Sequence, residues 1–132
     1  MGAAYYIVLD REIAGLDPFV NGKAIARESE RLALVTQQLG LRDVNEFVSA
    51  DPDELLAMAE ELGVELPHAP PPEAWFAPEE GLSWIARLQC HLVDNPHDVG
   101  DASAVVEDLA EYRLVLTAAK THAAQWHFAV DY

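Results

Sequence analysis

Five side chains able to hold a metal ion, His91, Asp94, His97, Asp98 and Asp101, fall within eleven residues of one another. Imidazole and carboxylate donors suit Zn²⁺ or a harder divalent cation. Specific metal sites are recognised by spacing, and this group has no HExxH, EF-hand or paired-cysteine spacing. Its acids also stand where helix caps are needed. The expectation is therefore capping and loop chemistry, with no metal and no cofactor. Cys90 is the only thiol. It stands in no nucleophile motif, so it reads as inert.

A second constellation depends on how the two most strand-like runs meet. One is Ala4 to Asp10, rich in β-branched and aromatic residues; the other is Gln125 to Tyr132. Antiparallel pairing would put Asp10 near His127, an arrangement suited to a general base. Parallel pairing would put Asp10 near Asp131, as a carboxylate pair. At about 3.3 Å per residue the two arrangements differ by roughly a strand length and exclude each other. Neither lies beside a GxSxG, a Gly-rich phosphate loop or a dinucleotide fingerprint. No catalytic set is assigned, and the expectation leans towards a binding protein rather than an enzyme. If a small-ligand pocket exists, it should lie between sheet and helices, lined by Asp10, Glu12, Lys23, Arg27, Trp75 and His127.

Charge provides the strongest pattern. Twenty-three acids face eight bases, a formal net charge of −15. That is about twice the upper end usual for a small domain, and it costs stability through self-repulsion. From Asp43 through Ala86 there is no Lys or Arg at all, yet eleven acids occur: Asp43, Glu46, Asp51, Asp53, Glu54, Glu60, Glu61, Glu65, Glu73, Glu79 and Glu80. Solvated faces normally mix signs. A one-signed side steers a basic partner without needing a pocket, although plain solubilisation explains it about as well. The leading expectation is a protein-interaction module, an immunity- or antitoxin-like inhibitor of a basic protein being one form. Glu54, Glu60, Glu61 and Glu79 are its expected contacts. Nucleic acid is disfavoured, because phosphate binding needs clustered cations. A structural subunit of an oligomer is a further alternative.

The elements that must position these groups follow from periodicity and punctuation. A chain of 132 residues with 51% hydrophobic content is expected to form one domain with a real core. The fold class expected is α+β: a small sheet made from the two terminal strands, packed against about four helices. The first helix is predicted over about 22–39, with Ile25, Leu32, Val35 and Leu39 inward and Lys23, Arg27 and Arg31 on a solvated face. Val44 to Ser49 alternates weakly and reads as a short third strand. Asp51-Pro52 opens the second helix, for which Leu55, Met58, Ala59 and Leu62 form the predicted buried stripe. The third helix runs from about Pro78 to Asp94, on Leu82, Ile85, Leu88 and Leu92, with Trp84 and His91 along a second edge. The fourth spans about 102–124, on Val105, Leu109, Tyr112, Leu116, Ala119 and Ala123.

Five prolines between Pro67 and Pro78 predict a stiff, strapped-down loop, with Trp75 and Phe76 tucked into the core. No apolar run reaches the roughly 18 residues of a membrane span. The first residues lack the pattern of a secretory signal, and Tyr6 replaces the Ser or Thr of an acylation signal at Gly2. With a single cysteine, the expected location is cytoplasmic.

Overall fold

The computed structural model describes residues 3–131; Met1, Gly2 and Tyr132 lie outside it. The acylation position Gly2 and the last residue of the terminal strand run are thus outside the described residues. Two strands, β1 (Ala4–Leu9) and β2 (Trp126–Asp131), enclose in sequence five helices: α1 (Lys23–Arg27), α2 (Ser29–Leu39), α3 (Pro52–Leu62), α4 (Pro78–Asp94) and α5 (Ala102–Thr121). Short 3₁₀ turns occupy Val44–Phe47 and Pro96–Asp98. The fold is α+β, as the periodicities predict.

β1 and β2 pair antiparallel, with Ile7 opposite Phe128, Val8 opposite His127 and Leu9 opposite Trp126. Alternation then sends Tyr5, Ile7, Trp126 and Phe128 to one face, where all four are buried. Against that face lie α4 and α5, packed on each other through Trp84, Ile85, Leu88 and Leu92 on one side and Val105, Leu109, Tyr112 and Leu116 on the other. Phe47, Trp84, Tyr112, Trp126 and Phe128 form an aromatic centre with ring centroids 5.0–6.3 Å apart. Gly81 makes this possible. A Cβ there would collide with the Trp126 indole and with Leu116, so α4 could not come so close.

The predicted first helix is two helices, bent at Glu28. The bend has a cause: the Glu28 carboxylate accepts from Gly100 N and Asp101 N, both at 3.0 Å, at the start of α5. Asp108 of α5 returns the favour, its Oδ2 accepting from Ala24 N and Ile25 N at 3.1 and 3.2 Å. Each acid satisfies amides that a helix start leaves orphaned. Partial burial raises the Asp108 carboxyl above its ordinary value of 3.8, against the pull of those two amides. Burial likewise pushes the Tyr112 hydroxyl far up, and it donates to Tyr5 O at 2.6 Å. At its far end α5 stops at Thr121, short of the predicted 124, because Ala123 turns to a φ of 54°. Ala123 is accordingly exposed rather than part of the buried stripe.

The third strand is a correction. Val44–Phe47 is a 3₁₀ turn, closed by Asp43 accepting from Asn45. Its main-chain pairing with the sheet is a single bridge from Val48 to Phe128, with Ser49 N donating to Phe128 O at 2.9 Å. Phe76 makes a second single bridge, to Trp126. β2 is thus flanked on its second edge by two isolated contacts instead of a strand. Between them, residues 50–73 leave the body and return, and Ser49 Oγ accepts from Ala74 N at 2.8 Å to close the base of this arm. No helix among the described residues is long and apolar enough to cross a membrane.

Candidate functional site

The arm carries α3, and α3 overturns one expectation. Its start is built as the sequence indicates, with Asp51 accepting from Asp53 N at 2.9 Å, Pro52 in the first turn and Gly63 ending it in the left-handed region. Yet every residue of α3 is at least partly exposed. Leu56, Met58 and Leu62 of the helix, and Val64 beyond it, stand 49–70% exposed. Of the predicted buried stripe, Leu55 and Ala59 are half-buried, whereas Met58 and Leu62 face outward. Amphipathic periodicity establishes that a helix has an apolar face; it does not say that the same chain covers it. A shallow groove of about 390 Å³ lies on the flank of α3 that carries Leu56 and Ala59, with Val64 and Leu66 of the following chain among its walls; Met58 and Leu62 lie outside it.

Acids ring the apolar face. Asp53, Glu54, Glu60, Glu61 and Glu65 are exposed and have no ion-pair partner among the described residues. Glu79, in the first turn of α4, is likewise exposed and unpaired there. Not all eleven acids of the segment are free in this way. Glu80 pairs with Arg42 at 2.9 Å, whose guanidinium also lies over the rings of Phe47 and Phe76. Glu73 points inward to His127. Asp43 and Asp51 close local turns. The four acids expected as partner contacts, Glu54, Glu60, Glu61 and Glu79, all belong to the unpaired group.

The six residues expected to share a ligand pocket lie in three places. Asp10 and Glu12 line a groove of about 870 Å³ beside β1, together with Ile7, Leu9, Ile13 and Phe19. Lys23 and Arg27 are exposed on α1. Trp75 and His127 meet elsewhere, their rings 4.6 Å apart. Asp10 and His127 share no hydrogen bond or ion pair, although the strands are antiparallel. Asp10 pairs instead with Gln125, donating to Gln125 O at 3.0 Å and accepting Gln125 N on its carboxylate at 2.9 Å.

His127 has another carboxylate. Its Nε2 lies 2.7 Å from Glu73 Oε2 and its Nδ1 2.9 Å from Phe128 O. Both neighbours are acceptors, so only a ring protonated on both nitrogens can donate to the two at once. His127 is 1% exposed, beneath Trp75. A general base must reach its substrate, and here both ring nitrogens are engaged and covered. The group pins the proline-rich return of the arm onto β2.

Three members of the loop cluster of potential metal ligands, His91, Asp98 and Asp101, are held in hydrogen bonds. His91 Nε2 meets Asp98 Oδ2 at 2.6 Å, and Asp101 caps α5 by accepting Ala104 N at 3.1 Å. No group of three or more His, Cys, Asp or Glu side chains among the described residues is placed to hold a metal ion. Cys90 is exposed and lines a shallow depression with Arg113 of α5.

Sequence reasoning missed the β1 groove and the openness of the α3 face. The first had a faint signal in Phe19, a large apolar residue in a turn-rich stretch. The second had one in the irregular, proline-rich chain that follows α3, which supplies no element to pack on it. Comparison of the chain with protein-family models, with curated proteins and with solved structures finds no match.

Proposed function

We propose that this protein is an interaction module, and that the α3 arm is its contact surface for a basic protein. The observation that supports this reading is the exposure of Leu56, Met58 and Leu62 on α3, set among carboxylates that have no ion-pair partner among the described residues. A contiguous exposed apolar surface rimmed by polar groups marks a protein contact far more often than an isolated exposed leucine does. Apolar area supplies affinity, and the acids choose the sign of the partner and speed its approach. Solubilisation alone would account for the acids but not for Leu56, Met58 and Leu62 standing among them. A nucleic-acid partner is disfavoured, since the arm from residue 50 to 73 has no Lys or Arg. Inhibition of a basic protein in the cytoplasm is one form such a contact takes.

The test is affinity capture from native lysate with three baits in parallel. They are the unaltered protein, a variant with Glu54, Glu60, Glu61 and Glu79 changed to Lys, and the double variant M58S/L62S. Proteins of basic isoelectric point held by the first and released by both variants are expected, followed by titration of the purified pair. An unchanged set of captured proteins, with circular dichroism reporting an intact fold, removes the reading.

A further inference from the structure

The order of side chains on α3 specifies more than the sign of a partner. Leu55, Met58 and Leu62 recur at i, i+3 and i+7, the spacing that sets apolar residues in one line along a helix. The line starts at half-buried Leu55 and continues through Met58 and Leu62, which are 57% and 70% exposed. No other helix or strand packs along α3 among the described residues. At about 100° per residue, Glu54 and Glu61 fall on one flank of this line, each one position before a leucine. Asp53 and Glu60 fall on the back of the helix. All four are exposed and without an ion-pair partner among the described residues. In the seven-residue repeat of paired helices, Leu55, Met58 and Leu62 take the two core positions. Glu54 and Glu61 take a flanking position, whose charge chooses the partner.

The helix is also only just self-sufficient. Asp51 caps it, Pro52, Asp53 and Glu54 fill its first turn and Gly63 ends it. Yet a helix of eleven residues with nothing along its length is marginal in water. A second helix laid alongside would supply that support.

We propose that the arm recognises an amphipathic helix on its partner, apolar along one stripe and carrying Lys or Arg beside it, docked on Leu55, Met58 and Leu62. This rests on the reading of the arm as a contact for a basic protein, and it names the element that is read. Apolar anchors at helical spacing supply affinity. Glu54 and Glu61 accept the bases and reject acidic helices of the same pattern. They reject a second copy of this chain as well. An antiparallel α3 would set both acids against their own twins, on a body of net charge −15.

The probe is a synthetic helix, two repeats of Lys-Leu-Ala-Gln-Leu-Lys-Ala with blocked ends, titrated into ¹⁵N-labelled full-length protein. Its leucines share one stripe and its lysines flank it. Saturable shifts are expected at the amides of Leu55 to Leu62, with slower hydrogen exchange there. A scrambled peptide of the same composition, whose leucines share no face, should bind about tenfold or more weakly. The variant E54K/E61K should lose as much, whereas D53K/E60K, which changes the net charge equally but on the back of the helix, should lose clearly less. Circular dichroism confirms that both variants are folded. Absence of saturable binding up to about millimolar peptide overturns the proposal. So does a scrambled peptide bound as tightly, an equal loss in the two folded charge variants, or shifts confined to residues outside α3. Lysate capture is read separately. Basic proteins held there and released by its variants, alongside any of these failures, would leave a basic partner that is not read as a helix.

Discussion

Two of the twenty-three acids, Glu28 and Asp108, are structural. Glu28 and Asp108 each close the amino end of a helix that belongs to another part of the chain, which ties the bend between α1 and α2 to α5. Their pH signatures are open to measurement at Asp108. Its carboxyl is raised, mainly by burial, so the folded state holds this proton more tightly than the unfolded chain does. The associated stability is fully present below the ordinary value of 3.8; it is lost as pH rises through the raised value. Asp108→Asn keeps an acceptor oxygen and removes the titration. The stability of the unaltered protein relative to this variant is thus expected to fall as pH climbs from 3.8 and then level off. Urea unfolding across that range checks it, and a difference that rises with pH contradicts the assignment. Nothing in sequence announced these roles, because each bond joins residues more than seventy positions apart.

At the level of elements, what was legible and what was not divide along a physical line. Strand and helix types are set locally, so β1, β2, α4 and most of α5 lie where alternation, caps and apolar stripes put them. Register and coverage are non-local. The antiparallel choice, the seating of His127 on Glu73 rather than Asp10, and the bare face of α3 all depend on distant chain. The candidate site followed suit: its acids were readable as a run without bases, but its apolar floor was mistaken for core. This difference has a quantitative consequence. Leu88 of α4 is fully buried, and Leu88→Ala is expected to cost about 2–5 kcal/mol. Met58→Ser and Leu62→Ser, at sites 57% and 70% exposed, should move stability by no more than about 0.5 kcal/mol. Denaturant midpoints of the three variants make the comparison. A loss at Leu62 comparable with that at Leu88 would mean that α3 is covered in solution by something other than a partner.

For the whole molecule the governing quantity is the net charge of −15. Only four close ion pairs are found among the described residues, two of them involving histidine, so most of the acids are left to repel one another. Added salt shortens the screening length from about 30 Å at 0.01 M to about 3 Å at 1 M. The melting temperature of the free protein is therefore expected to rise over that interval, as self-repulsion is screened. Scanning calorimetry in a sodium chloride series is the measurement, and a flat or falling response would show that the acids are compensated within the fold.

The bond from Gln125 to Asp10 spans 115 positions, and that span sets a timetable. At about 5–20 residues per second of synthesis, β1 leaves the ribosome on the order of ten seconds before its partner strand exists. During that wait the uncharged run Ala-Tyr-Tyr-Ile-Val-Leu has both edges bare, the kind of segment that adheres to other chains. The nascent chain is thus most vulnerable in that interval, and its safe delivery rests on whatever shelters β1 until β2 arrives.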